Sequence, residues 1–142
     1  MNKRILVIDD EPIICEALSR FLTAQDYVVR TVRDMTGAWE ALAGEPFDLA
    51  LLDLGLAGEN GLDLLPQIKE KFPEMPILIL TAREFEEGLL QEAAEKGASG
   101  YVTKGLLSEH LLGEIKRLLY FPGKRPAFWD RKPPRNPGEL GR

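Results

Sequence analysis

The stretch Ile5-Leu-Val-Ile-Asp-Asp-Glu-Pro12 decides the fold. Four apolar residues in a row are typical of a strand that is buried on both faces of a sheet. Three acids and a proline follow at once. Crowded carboxylates repel one another and resist burial, so a strand that merely ends in a turn has no need of them. The stretch therefore predicts a buried strand whose end attracts a cation.

Length and composition narrow the class of protein. A chain of 142 residues with 44% hydrophobic and 29% charged residues is typical of one soluble globular domain. No apolar run approaches the roughly 18 residues of a membrane span, and the start lacks the pattern of a signal peptide. The single Cys15 excludes an internal disulfide framework and a cysteine-rich zinc site. These features predict a cytoplasmic protein without a membrane partner.

The charge is unevenly distributed along the chain. The net charge is −5, yet residues 121–142 carry a net charge of +4 and five of the ten prolines. Residues 1–120 therefore carry −9. We expect a folded domain over residues 1–121, followed by a basic, proline-rich and disordered tail or linker over 122–142. A short basic segment of this kind binds nucleic acid only weakly and without sequence preference, so no specific nucleic-acid partner is predicted.

Strand-like and helical patterns alternate along the domain. Strands are predicted at Arg4–Asp9, Tyr27–Val32, Phe47–Asp53, Pro76–Thr81 and Ser99–Thr103. Helical spacing of apolar residues marks four of the intervening or following segments, namely Ile14/Ala17/Leu18/Phe21/Leu22, Leu64/Leu65/Ile68/Phe72, Phe85/Leu89/Leu90/Ala93 and Leu111/Leu112/Ile115/Leu118/Leu119. A further helix is predicted around Met35–Ala43. Pro12 suits the first turn of the first helix, and Gly44, Gly97 and the Phe72-Pro73 step suit helix ends. Gly61 is expected to be a loop or turn residue.

Five repeats of strand and helix predict an α/β fold. A flavodoxin-like, doubly wound, five-stranded parallel sheet of order 2-1-3-4-5, with helices on both faces, is the common solution at this length. In that order the first and third strands are neighbours at the switch point, and ligands bind beyond their carboxyl ends. The acids that end the first strand, Asp9-Asp10-Glu11, should therefore lie across one cleft from Asp53 at the end of the third.

The residues at the other strand ends predict phosphoryl chemistry. Thr81 ends the fourth strand and Lys104 follows the fifth. Clustered carboxylates with open positions suit Mg²⁺, while a hydroxyl and an ammonium suit the oxygens of a phosphoryl group. Asp53 lies between the predicted metal side and Lys104, which makes it the natural nucleophile and an acyl phosphate the natural product. Glu11 is open to two interpretations, a neighbour of the metal or an acid favoured at a helix start.

Taken together, these stretches resemble the receiver domain of bacterial two-component response regulators. The resemblance covers about residues 3–120. It is carried by Ile5-Leu-Val-Ile-Asp-Asp-Glu-Pro12, Phe47-Asp-Leu-Ala-Leu-Leu-Asp-Leu54, Glu59-Asn-Gly-Leu-Asp-Leu-Leu65, Pro76-Ile-Leu-Ile-Leu-Thr-Ala82 and Gly97-Ala-Ser-Gly-Tyr-Val-Thr-Lys104. Each stretch alone is common, but the five in this order, each at a strand end, are specific.

The resemblance implies a role for each site residue. Asp53 would accept a phosphoryl group from a sensor histidine kinase, a histidine phosphotransfer protein or a small phosphodonor. Direct ligands of Mg²⁺ would be Asp10, Asp53 and the backbone carbonyl of Gly55, with Asp9 acting through water. Thr81 and Lys104 would bind the phosphoryl oxygens, and Thr81 and Tyr101 would be the switch residues.

The resemblance also implies how a signal leaves the domain. The surface of the fourth helix, fifth strand and fifth helix would shift on phosphorylation and control an output protein or effector domain, and a homodimer is possible. The domain would catalyse only its own phosphorylation and dephosphorylation. The alternative is a pseudo-receiver, a binding module that signals without phosphorylation; such modules usually lack an acid or the lysine, and all are present here.

Two positions depart from the family pattern. Ala57 stands where a proline is usual, and Gly105 follows Lys104 in place of a proline. A cis bond before glycine costs roughly 2.5–4 kcal/mol, more than the 1.5–3 kcal/mol or so of one charge-assisted hydrogen bond. We therefore predict a trans Lys104-Gly105 bond, with Lys104 still reaching Asp53.

Other classes fit less well. A nucleotide-binding enzyme would need a glycine-rich loop after the first strand, where this chain has acids. A phosphatase of the haloacid dehalogenase type would need a D-x-D pattern and a cap domain. The 22 residues over 121–142 are too few for a helix-turn-helix.

Overall fold

Five apolar runs form one parallel sheet in the computed structural model, which describes residues 2–56, 60–81, 87–104 and 109–121. The strands are β1 (Arg4–Ile8), β2 (Val28–Val32), β3 (Leu49–Asp53), β4 (Ile77–Thr81) and β5 (Gly100–Thr103). Their order is β2-β1-β3-β4-β5, and all neighbouring pairs are parallel. The predicted fold class and strand order are confirmed, and each strand begins and ends within two residues of its predicted bounds.

Within the described part of the chain, five helices connect and cover the strands. They are α1 (Pro12–Ala24), α2 (Met35–Gly44), α3 (Gly61–Lys71), α4 (Glu87–Glu95) and α5 (Glu109–Tyr120). Pro12 occupies the first turn of α1, as predicted. Side chains cap the next two helices, since Asp34 accepts a hydrogen bond from Gly37 N at 2.7 Å and Asn60 accepts one from Leu62 N at 3.0 Å. Such caps satisfy backbone donors that a helix start leaves without partners.

The sheet is buried on both faces, which explains why its central strands are apolar without interruption. Along β1, Ile5 and Val7 point to one face while Leu6 and Ile8 point to the other, and none of the four is exposed. One layer contains α1 and α5, and the opposite layer contains α2, α3 and α4. This arrangement leaves the carboxyl ends of β1 and β3 adjacent at one edge of the sheet.

Two interpretations of single residues were wrong. The buried face of α1 consists of Cys15, Leu18 and Leu22, whereas Ala17 is exposed. The spacing counted from Ile14 placed the centre of the buried face slightly away from its observed position. A small residue such as Ala fits either face of a helix, so it does not indicate which face is buried. Gly61 is a buried first residue of α3 rather than a loop or turn residue. Gly97, with φ of +113°, ends α4 as predicted.

Several predictions concern residues outside the described part of the chain. They involve Phe85, Ala57, the Lys104-Gly105 bond and the tail over 122–142. Within the described residues, no helix is both long and apolar enough to cross a membrane.

Candidate functional site

The loop between β1 and α1 holds Asp9 in one orientation. Its backbone N–H donates to the carbonyl of Val32 at 3.1 Å. The N–H of Glu11 donates to Asp9 Oδ1 at 2.9 Å, and the Cys15 thiol donates to the Asp9 carbonyl at 3.1 Å. Both the backbone and one carboxylate oxygen of Asp9 are therefore fixed from three sides.

Among the residues that the structure describes, four carboxylates meet at this edge of the sheet. Ligand atoms of Asp9, Asp10, Glu11 and Asp53 all lie within 4.8 Å of one another. Asp9 and Asp53 are buried, Asp10 is half-buried and Glu11 is exposed. The predicted meeting of the β1 acids with Asp53 is thus observed, and its cause is the pairing of β1 with β3.

Lys104 is the cation of the cluster. Its ammonium lies 2.7 Å from Glu11 Oε1, 2.9 Å from Asp9 Oδ2 and 3.2 Å from Asp53 Oδ2. Burial alone would lower the pKa of Lys104, but hydrogen bonds to these three carboxylates raise the pKa above its ordinary value. Lys104 is positioned by its own N–H, which donates to the carbonyl of Thr81 at 2.8 Å.

The charged form of the Asp9 carboxyl group is only partly stabilised by its neighbours. Burial raises the pKa of its carboxyl group, the Glu11 N–H and Lys104 oppose that rise, and the negative charge of Asp53 adds to it. Asp9 Oδ2 is enclosed and receives no well-directed hydrogen bond from any described residue, although the Lys104 ammonium lies 2.9 Å away. A buried carboxylate oxygen in this condition favours a further cation.

Asp53 faces a pocket of about 300 Å³. The residue is only 4% exposed, its Oδ1 accepts a hydrogen bond from Gly55 N at 2.9 Å, and its Oδ2 accepts one from Lys104. The pocket is lined by Glu11, Asp53, Leu54, Gly55, Asn60, Leu62, Thr81, Leu89 and Lys104. It can therefore admit a small anionic group between the Asp53 carboxylate, the Thr81 hydroxyl and the Lys104 ammonium.

Tyr101 lies apart from this group of residues. It is on β5, is partly buried against the α2–α4 layer, and does not line the pocket. Burial, together with the charge of Glu114, raises the pKa of its phenol. The structure therefore brings Asp9, Asp10, Asp53, Gly55, Thr81 and Lys104 to one site and leaves Tyr101 on the neighbouring strand.

The residues present fit Mg²⁺. The donors are hard carboxylate oxygens, they converge within 4.8 Å, and one of them is buried without a well-directed partner. Four ionised carboxylates and one ammonium leave the cluster with a formal charge of −3, so a divalent cation would remove most of the repulsion.

Sequence reasoning missed two features of the site. The Glu11 carboxylate binds Lys104 and makes no capping hydrogen bond to α1. Asn60 caps α3 and also lines the pocket. The Asn60-Gly61 pair before an apolar run could have indicated the cap, whereas no local pattern indicates the Glu11 contact.

Comparison with known proteins agrees with this geometry. A family model described as the response regulator receiver domain matches residues 5–116. The DNA-binding transcriptional regulator NtrC of Rhizobium meliloti (strain 1021) is 35% identical over 123 residues, which are 87% of this chain and 25% of that protein. The chain thus spans about a quarter of the length of this curated relative.

Solved structures show the same architecture. A CheY-like receiver domain protein from Methanospirillum hungatei JF-1 is 28% identical with a TM-score of 0.77, covering 84% of this chain and 94% of that one. Response regulator TrrA from Thermotoga maritima, in complex with Mg²⁺-BeF, is 32% identical with a TM-score of 0.73, covering 82% and 99%. Chemotaxis protein CheY4 from Vibrio cholerae is 26% identical with a TM-score of 0.79, covering 84% and 100%.

Proposed function

The chain belongs to the response regulator receiver family, and we propose that it is a phosphorylation-dependent switch whose phosphoacceptor is Asp53. One observation carries the proposal. The buried Asp53 carboxylate faces a pocket of about 300 Å³, with Lys104 at 3.2 Å and three further carboxylates beside it. A nucleophile, a phosphoryl-binding cation and a set of metal ligands are the parts that this reaction needs.

The proposed phosphoryl transfer forms one bond to phosphorus and breaks another. A carboxylate oxygen of Asp53 attacks the phosphorus of the donor and forms an O–P bond. The bond from phosphorus to the donor breaks, and its electron pair returns to the imidazole nitrogen of a phosphohistidine or to the oxygen of a small acyl phosphate. Water later attacks the same phosphorus, which restores the carboxylate and releases inorganic phosphate.

Each residue at the pocket has a distinct task in that reaction. Lys104 pairs with a phosphoryl oxygen, and the Thr81 hydroxyl donates to another. The N–H of Gly55 holds Asp53 Oδ1, which directs the carboxylate into the pocket. Mg²⁺, when bound, supplies positive charge against the donor's oxygens. Asp10, Asp53 and the Gly55 carbonyl would hold it, with Asp9 acting through water.

The output of the switch is the surface formed by α4, β5 and α5. Thr81 ends β4, beside this surface, and Tyr101 lies on β5, within it. When the Thr81 hydroxyl is drawn toward the phosphoryl group, the phenol of Tyr101 can turn inward. Since an equilibrium between two packings responds to a ligand that favours one of them, phosphorylation changes which partner binds. The upstream partner is a sensor histidine kinase or a histidine phosphotransfer protein. Downstream is an output protein, an effector domain or a second copy of the chain, and the location is the cytoplasm.

The test is the intact mass of the protein after treatment with acetyl phosphate and Mg²⁺. We expect the mass of one phosphoryl group to be added to the parent chain and none to Asp53→Asn, with both variants giving the same far-ultraviolet circular dichroism spectrum. An unchanged mass under conditions that label an ordinary receiver would reject the proposal in favour of a binding module that works without phosphorylation.

A further inference from the structure

The Lys104 ammonium is surrounded by carboxylates, and it donates hydrogen bonds to Glu11 Oε1 and Asp53 Oδ2. An ammonium carries three N–H bonds, and three carboxylates surround this one at 2.7, 2.9 and 3.2 Å. A phosphoryl oxygen that binds Lys104 must therefore compete with these carboxylates for the ammonium.

The three carboxylates differ in how easily they can leave. Asp9 is fully buried, and its other oxygen is held by the N–H of Glu11. Asp53 is 4% exposed and is held by the N–H of Gly55. Glu11 is different because its side chain is 53% exposed, so water can solvate its carboxylate once the contact is broken.

The position of Glu11 at the helix start points to the same role. Glu11 is the N-cap residue of α1, yet its side chain makes no capping hydrogen bond. Ser, Thr, Asp and Asn are preferred at that position because their short side chains reach the helix N–H groups. Here a longer side chain extends across the pocket to Lys104, 93 positions away in the sequence, in a contact 0.5 Å shorter than that of Lys104 with Asp53.

We propose that Glu11 is a positioning residue that holds the Lys104 ammonium in the resting state and is displaced from it by the incoming phosphoryl group. This inference rests on the proposed phosphorylation of Asp53. Glu11 thereby sets how readily the domain is phosphorylated, since a phosphodonor competes with the Glu11 carboxylate for the Lys104 ammonium.

The experiment compares the acetyl phosphate concentration that half-saturates the phosphorylation rate at saturating Mg²⁺. In Glu11→Gln the concentration should fall severalfold, because the ammonium is released from its strongest competitor. Glu16→Gln is the matched control: it is the same substitution on the same helix, at an exposed residue paired with Arg20 rather than Lys104. We expect Glu16→Gln to behave like the parent chain.

Two further variants separate the effect of the Glu11–Lys104 contact from the general effect of the negative charge of Glu11 on an anionic donor. Glu11→Asp keeps the charge but is shorter by one methylene, so it should resemble Glu11→Gln if the contact matters. In a Lys104→Met background, Glu11→Gln should have no effect on the half-saturating concentration. A parent-like value for Glu11→Asp, or an undiminished effect in the Lys104→Met background, would overturn the inference, since either result means that Glu11 only repels the anionic donor.

A measurement on the resting protein keeps this inference distinguishable from the proposed function. An amine-directed reagent, read by peptide mass spectrometry, should label Lys104 severalfold faster in Glu11→Gln than in the parent chain. Equal labelling would overturn the role of Glu11 even if Asp53 is phosphorylated. Faster labelling in a chain that takes no phosphoryl group would instead reject the proposed function while supporting the Glu11–Lys104 contact.

Discussion

Lys104 shows how one cationic residue can bind two kinds of anion in turn. In the resting structure its ammonium offsets part of the repulsion among three carboxylates. The same ammonium is the only described cation in contact with Asp53 Oδ2, so in the proposed reaction it is also the group that would meet an incoming phosphoryl oxygen. A lysine suits both tasks because its flexible stem lets a point charge move between partners without moving the backbone.

A second titratable residue ties α5 to the edge of the sheet. Tyr27 is buried just before β2, and burial with a hydrogen bond to Tyr120 raises the pKa of its phenol to about 12. The folded state therefore holds this proton more tightly than the unfolded state, whose phenol has the ordinary pKa of 10.

The pH dependence of stability follows from that difference. The contribution of Tyr27 is complete below pH 10 and is lost as the pH rises toward 12, an effect of roughly 2–3 kcal/mol. We expect the parent chain to lose more free energy of unfolding across this range than Tyr27→Phe, as measured by urea denaturation at each pH. Parallel losses in the two proteins would contradict the assignment, since other alkaline groups are common to both.

At the scale of elements, α3 approaches the end of β3 closely. A Cβ on Gly61, the first residue of α3, would lie 2.8 Å from Leu54 Cα and 3.0 Å from the carbonyl oxygen of Asp53. Both neighbours are backbone atoms at the end of β3, in Asp53 and the residue after it, and cannot rotate away. Glycine at this position therefore lets the helix start pack against the site.

Replacing Gly61 with alanine should destabilise the fold more than a glycine-to-alanine substitution at an open position. Gly61→Ala is expected to destabilise the fold by about 1–3 kcal/mol because the added methyl overpacks the backbone. The matched control is Gly113→Ala in α5, where an added Cβ meets nothing within 4 Å; there a gain of about 0.4–1 kcal/mol is expected. Equilibrium urea unfolding of both variants provides the measurement, and a Gly61→Ala protein as stable as the parent would show that the contact relaxes freely.

At the scale of the whole molecule, the acid cluster links metal binding to stability. Binding of Mg²⁺ to the folded state alone should raise the free energy of unfolding by about 1.4 kcal/mol at ten times the dissociation constant. Thermal melts with and without millimolar Mg²⁺ would detect this as a rise of a few degrees. Asp10→Ala should lose the shift, while Glu70→Gln, at an exposed acid on α3, should keep it. A shift of equal size in Asp10→Ala would refute the proposed site.

The distribution of charge over the chain leads to a prediction about DNA. Residues 1–120 carry −9 and the remainder +4, so the domain repels the phosphate backbone that the tail attracts. We expect weak binding to any duplex at low salt and its loss at physiological salt, as measured by fluorescence polarisation with two unrelated duplexes. Preference for one duplex at physiological salt would contradict this expectation.

The sequence by itself determined the five strands, the order of the sheet and the meeting of Asp9, Asp10 and Asp53. These features depend on local periodicity and on which residues end each strand, and a parallel sheet brings strand ends together whatever the details of packing. Only the tertiary structure decided that Glu11 binds Lys104, that Asn60 lines the pocket and that Gly61 must lack a side chain. Such contacts join distant parts of the chain, so they depend on how helices pack and on where long side chains reach, which no local pattern records.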